Sequence, residues 1–199
     1  MPQTRTFIAV EVNTGVRNNT IRLQQTLAQV ASGVKWTSPD TLHITLLFLG
    51  DVDDRLLPEV CRHVQAAAQT VSPFSFSVAG LGAFPTLHHP KILWAGIQQG
   101  AEQLQALHAV IAGRLVPVGL YRPEERPYTP HLTLGRLRPD TPRGQLVREL
   151  QKRINWEAGL TQVQEVVVFA SVLDRQGPLH TPMFRASLAP QPASPPSSS

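Results

Sequence analysis

Leu42-His43-Ile44-Thr45-Leu46-Leu47-Phe48-Leu49-Gly50 and Thr129-Pro130-His131-Leu132-Thr133-Leu134-Gly135-Arg136 carry one pattern twice: histidine, apolar, threonine, apolar. The two histidines are 88 residues apart. An extended chain points successive side chains to opposite faces. Read as strands, each copy puts its histidine and threonine on one face and its aliphatic residues on the other. Strict alternation sends Phe48 to the aliphatic face, away from His43, and counts it with the core. It also sends Arg136 away from His131, but Gly135 permits a bulge that re-aims the arginine. The expectation is that the two His–Thr pairs face each other across one cleft.

Outward from the motifs, the same order of elements appears twice. Short apolar runs at 6–12 and 92–97 read as strands, and apolar residues at helical spacing follow in 16–31 and 102–115. Helical spacing returns at 55–70 and 143–156, with strands after it at 74–78 and 163–169. Corresponding elements keep close to the offset of the histidines, which marks an internal duplication. The predicted fold is α+β, with two similar lobes of duplicated βαβαβ order. Its antiparallel sheets have helices packed outside, the active-site cleft lies between the lobes, and the chain is free to cross between them. Residues 1–188 form one bilobal domain, with repeat halves at about 5–84 and 91–188. Gly80, Gly82 and Pro85 open a predicted loop through His88-His89-Pro90, and the last strand is expected near 183–188. The chain from 189 to 199 is Pro, Ser and Ala with one Gln, and is expected to form a disordered tail because it buries too little to order itself.

Composition narrows the classes. A 199-residue chain that is 42 % hydrophobic and 16 % charged has ample material for a buried core. The formal net charge of +4 allows a phosphate-bearing partner without demanding one. Cys61 is the only cysteine, so no internal disulfide or multi-cysteine zinc site forms; its apolar helical setting marks it as structural. No run approaches the ~18 apolar residues of a membrane span. The N-terminus runs directly into a strand pattern rather than a signal peptide, and the expected location is cytoplasmic.

Two imidazoles and two hydroxyls on one cleft suit in-line displacement at phosphorus. A neutral imidazole takes a proton from water while an imidazolium on the other side gives one to the leaving oxygen. The threonine hydroxyls donate to phosphoryl oxygens as charge develops. Two histidines without a third ligand make an incomplete zinc site, so neither metal nor cofactor is expected. Arg122, Arg126, Arg136 and Arg138 surround the second motif, with Arg136 and then Arg126 as the phosphate-contact candidates. Phe84, in the predicted loop, is the candidate for base stacking, whereas Trp94 lies in an apolar run and reads as core. His88 and His89 read as a solvated turn, and His63 and His108 as surface or boundary residues. His180 follows Gly177-Pro178 in a loop bordering the cleft, with no catalytic part. The motif is symmetric and does not say which histidine is acid and which is base.

With these residues in view, the chain resembles the two-histidine phosphoesterase superfamily. Within it, the chain is similar to the bacterial and archaeal RNA 2′,3′-cyclic phosphodiesterases, historically called 2′-5′ RNA ligases. The segments that carry the likeness are RTFIAVEV, KWTSPDTLHITLLFLGDV, FPTLHHPKILWAGI, RPYTPHLTLGRLR and VFASVLDRQGPLHTPM. The resemblance implies hydrolysis of RNA 2′,3′-cyclic phosphate ends, or of a small cyclic nucleotide, to a 2′-phosphomonoester by a monomeric enzyme. It implies His43 as proton donor, His131 as proton acceptor, Thr45 and Thr133 as phosphate holders, and Arg136 as their assistant. Family members often carry tyrosine near the position of His180, and that departure leaves the catalytic set intact. Ligation through a 2′-5′ bond is the same displacement with a ribose hydroxyl in place of water. A nucleotide-binding module without turnover is the reading from another class.

Overall fold

Ile44 and Leu132, the apolar residues inside the two motifs, pair directly with each other and are both fully buried. This single pair is the seam of a computed structural model that describes residues 1–174 and 177–190. The stretch expected to be a disordered tail lies, from residue 191 on, outside the described residues. The elements in order are β1 (Gln3–Glu11), α1 (Thr14–Ala28), β2 (Val34–Trp36), β3 (His43–Asp53), α2 (Leu57–Ala68), β4 (Phe74–Pro85) and β5 (Pro90–Ile97). Then come α3 (Ala101–Leu115), β6 (His131–Leu137), α4 (Gly144–Lys152), β7 (Glu157–Val163), β8 (Glu165–Asp174) and β9 (Gly177–Ser187).

The strands form one continuous antiparallel sheet rather than two, in the order β7-β4-β5-β6-β3-β1-β8-β9, with β2 attached to β6. The order is symmetric about the β6–β3 seam: β5 matches β1, β4 matches β8, and β7 matches β9. Each half of the sheet draws on both halves of the sequence. β4 leaves the first copy to join β5 and β7, and β8 leaves the second to join β1. The helices cross as well. α1 packs on β7, where Asn13 and Asn19 donate to the carbonyls of Leu160 and Ala158, whereas α2 and α3 pack together beneath β3, β8 and β9. A large aliphatic core fills the helical side. The open face carries a separate buried cluster of Phe7, Ala9, Val167 and Phe169. Among the described residues, no helix is long and apolar enough to cross a membrane.

Three local expectations change. The predicted loop after Gly80 is strand, because β4 runs on to Pro85 and pairs with β5. A register shift between Val78 and Leu81 absorbs Gly80, whose φ is +77°. Gly82 is needed there because a Cβ would sit 2.2 Å from the Trp94 ring lying across it. β7 is an additional edge strand whose mixed residues hide its period, and β9 begins at Gly177, well before the expected 183.

Candidate active site

Antiparallel register continued outward from Ile44–Leu132 sets His43 across from Thr133 and Thr45 across from His131. All four side chains lie on the open face, opposite the buried Ile44, Leu46, Leu132 and Leu134. The two histidines are diagonal neighbours across this pair, a relation that separates residues by about 7–8 Å in a regular ladder and their Cβ atoms by somewhat less.

Each strand then skips one residue. Ile8 pairs with Leu47 but Ala9 with Thr45, so Leu46 is extra; Leu93 pairs with Gly135 but Trp94 with Thr133, so Leu134 is extra. Both bulges reverse the alternation beyond them. Arg136 thereby joins the face of His131, as expected, although the bulged residue is Leu134 and not Gly135. Gly135 serves a different end: a Cβ there would sit 2.9 Å from Val34 Cγ1, so glycine lets β2 close on β6. The same reversal corrects the reading of Phe48. It is 56 % exposed on the face of His43, with its ring 6.0 Å from Phe7.

A residue that periodicity alone misses holds the second bulge. The Leu134 carbonyl, freed from the ladder, accepts from Thr37 N–H at 3.0 Å and from Gln24 Nε2 at 2.9 Å. Gln24 is buried on α1 and also donates to the Thr37 carbonyl at 2.9 Å. A glutamine on the apolar stripe of a helix is the available signal. Gln24→Leu is expected to lower unfolding free energy by about 1–2 kcal/mol, since the buried Leu134 carbonyl and the half-buried Thr37 carbonyl each lose a donor. A urea midpoint equal to that of the parent would refute this role.

Both imidazoles are oriented by the carbonyl two residues upstream. His43 Nδ1–H donates to Thr41 O at 2.7 Å, and His131 Nδ1–H donates to Thr129 O at 2.8 Å. In the neutral rings, Nε2 is therefore the nitrogen with the lone pair. His43 Nε2 accepts from Thr45 Oγ1 at 3.0 Å. His131 Nε2 and Thr133 Oγ1 have no partner among the described residues. Burial, with His180 beside it, pushes His43 down to about 4, against the Thr41 carbonyl and Glu11, which pull it up.

Aromatic rings back both histidines. Phe7 stacks on His43 at 4.9 Å and on Phe169 at 5.1 Å. On the other side, Phe84 meets His131 edge-on at 5.3 Å, and Trp94 lies 5.4 Å from Phe84. Phe84 thus lies beside His131 as a strand residue, and Trp94 is half-buried on the open face rather than in the core. His180 is not in a loop: it lies on β9, with its ring 5.5 Å from His43. Tyr128 stacks on His108 at 4.3 Å and donates its hydroxyl to Thr45 O at 3.0 Å, pinning the approach to β6 onto β3. Arg126 is exposed on that approach and makes no hydrogen bond or ion pair among the described residues. Lys35, passed over in the sequence, pairs across from Arg136. Two like charges set opposite each other repel, and an anion between them relieves the repulsion.

A model of the 2′-5′ RNA ligase superfamily matches residues 19–174. A protein of Methanothermobacter thermautotrophicus named RNA 2′,3′-cyclic phosphodiesterase is 34 % identical over 90 % of this chain and 96 % of its own length. One of the same name from Archaeoglobus fulgidus is 31 % identical over 88 % of this chain and 96 % of its own. Among solved structures, a Thermus thermophilus protein superposes with a TM-score of 0.80 at 26 % identity, covering 94 % of this chain and 99 % of that one. E. coli LigT, solved with 3′-AMP, shares the fold with a TM-score of 0.71 at 21 % identity over 94 % of this chain and 98 % of its own.

Proposed function

Since the chain belongs to the 2′-5′ RNA ligase superfamily, we propose that it hydrolyses RNA 2′,3′-cyclic phosphate ends to 2′-phosphomonoesters by metal-independent acid–base catalysis. The observation that carries this reading is the seam, where one pair of residues, Ile44 and Leu132, brings both His–Thr pairs to one face of one sheet. Relatives that share a third of their residues over nearly their whole length bear the name of that activity.

In this scheme His131 Nε2 takes a proton from water, and the water oxygen attacks phosphorus opposite the P–O3′ bond. That bond breaks, and His43 Nε2–H gives its proton to O3′, leaving the phosphate on O2′. Thr45, Thr133 and Arg136 hold the phosphoryl oxygens. Arg126 is a further candidate for phosphate contact, and Phe84 is placed to stack a base beside His131. With His43 lowered to about 4, roughly one molecule in a thousand carries the donor proton at pH 7 in the free protein. The phosphate anion supplies the opposite charge that raises the ring toward neutrality once substrate is seated. One chain supplies both motifs, so a monomer suffices, and residues 1–188 constitute the working unit in the cytoplasm.

An oligonucleotide ending in a 2′,3′-cyclic phosphate, incubated in EDTA, is expected to yield a 2′-phosphate. A 3′-phosphate product would reverse the leaving-group assignment. Activity abolished by EDTA, or tight binding without turnover, would sink the reading.

A further inference from the structure

The motifs, their bulges and their carbonyl anchors repeat across the seam, whereas the aromatic neighbours already differ, Phe7 lying face-on to His43 and Phe84 edge-on to His131. His180 adds a larger difference, because it lies off that symmetry altogether. β9 pairs along the length of β8 and places His180 opposite Ser171. Its counterpart β7 pairs with β4 only at 74–79 and stops well short of Phe84, so it sets no equivalent residue beside His131.

The His180 ring stands edge-on to Phe7 at 4.7 Å and 72°, and to His43 at 5.5 Å and 77°. Phe169 completes the cluster at 6.4 Å from His180. His180 Nδ1 is buried without a hydrogen-bond partner among the described residues. Such a nitrogen is best left as a bare lone pair among apolar rings, because a proton there would be desolvated and unpaired.

We propose that His180 is a positioning residue acting through His43: its edge fixes the His43 ring over Phe7, and it makes the two histidines of the site unequal. The positioning is steric, since His43 is held between the stacked face of Phe7 and the edge of His180. The inequality is electrostatic, because charge on either ring opposes charge on the other. Burial disfavours charge on both rings, and once acid charges one of them the other is charged with more difficulty still, while His131 has no such neighbour among the described residues. Other charged groups around the pair are Glu11 on β1 and Glu165 on β8, both bound by Arg185 of β9. Asp40 lies on the Pro39–Thr41 turn that packs against β9. Of these, Glu11 pulls toward a charged His43. The catalytic meaning of this inference rests on the phosphodiesterase reading, but its physical core does not.

Two variants test it. His180→Phe keeps a ring edge against Phe7 and removes the titration; His180→Ala removes both. Imidazole NMR titration of the substrate-free protein is expected to show the His43 midpoint rising by about half a pH unit or more in both variants. On a cyclic-phosphate dinucleotide at pH 7, kcat is expected to fall about 10-fold or more in His180→Ala and to stay within about 3-fold in His180→Phe, with KM little changed in either. A His43 midpoint unmoved in His180→Phe overturns the electrostatic claim. Equal loss of kcat in the two variants overturns the positioning claim. The titration uses no substrate, so its outcome is independent of whether the chain hydrolyses cyclic phosphates.

Discussion

Replacing His43 or His131 by alanine is expected to lower kcat on an RNA 2′,3′-cyclic phosphate by about 10³-fold or more, within the range of a single lost proton transfer. The fold should survive both changes. Each ring is partly exposed on the open face, and each strand is held by its aliphatic face and by its ladder partners. The threonines and Arg136 remain in either variant, so substrate should bind with KM changed far less than kcat. The double variant should be little worse than either single one, because groups that act in one concerted step do not contribute independently. Steady-state rates with circular dichroism on the same samples check this. A single variant with near-parental kcat would show that the paired acid–base scheme is wrong.

Stability is expected to fall by roughly 3 kcal/mol on acidification from pH 7 to pH 4 through His43 alone. In the fold this ring titrates at about 4 against an ordinary value of 6.5. Between those values the unfolded chain binds a proton that the folded chain refuses, so stability drops as pH falls through the window. Below about 4 both states are protonated and no further loss arises from this residue. The gap, at 1.36 kcal/mol per pH unit, gives the magnitude stated. Burial of the ring is the main cause, and charging of His180 adds to it. Urea unfolding at several pH values measures the slope directly. In His43→Gln the slope across pH 4–6.5 should flatten by that amount; an unchanged slope would assign the acid sensitivity elsewhere. A bound phosphate analogue should oppose the loss, since an anion at Nε2 favours the charged ring.

The site's centre is legible in the sequence because a period of two is a local property. Four residues set one face of a strand, and a repeat of those four at a common offset says that two such faces belong together. What stays hidden depends on departures from the period or on distant partners. A strict period sends Phe48 to the wrong face because the extra residue, Leu46, has no mark of its own: it is one leucine in an aliphatic run. Arg136 falls on the correct face because a glycine draws notice to the spot, yet the bulge is at Leu134 and is held by a glutamine 110 residues away. His180 reads as a loop residue because Gly177 and Pro178 precede it, and nothing local reveals that β8 continues antiparallel into β9. Trp94 sits in an apolar run that reads as buried on both sides, whereas one side of that strand is open.

The crossed connectivity has a consequence for ancestry. Were one copy of the repeat made alone, its first helix and its last strand would find no sheet of their own to cover or extend, because each is lodged on the opposite half. Such a chain would close only against a second identical chain, each lending those pieces to the other, with one histidine from each. Fusion of the two copies would convert that dimer into a single polypeptide. A fused chain is free to let its copies differ, as where Phe48 stands opposite in the repeat to Arg136, and to add strands to one copy only: β7 and β9 both come from the second copy, and β9 alone brings a third histidine to one side of the site.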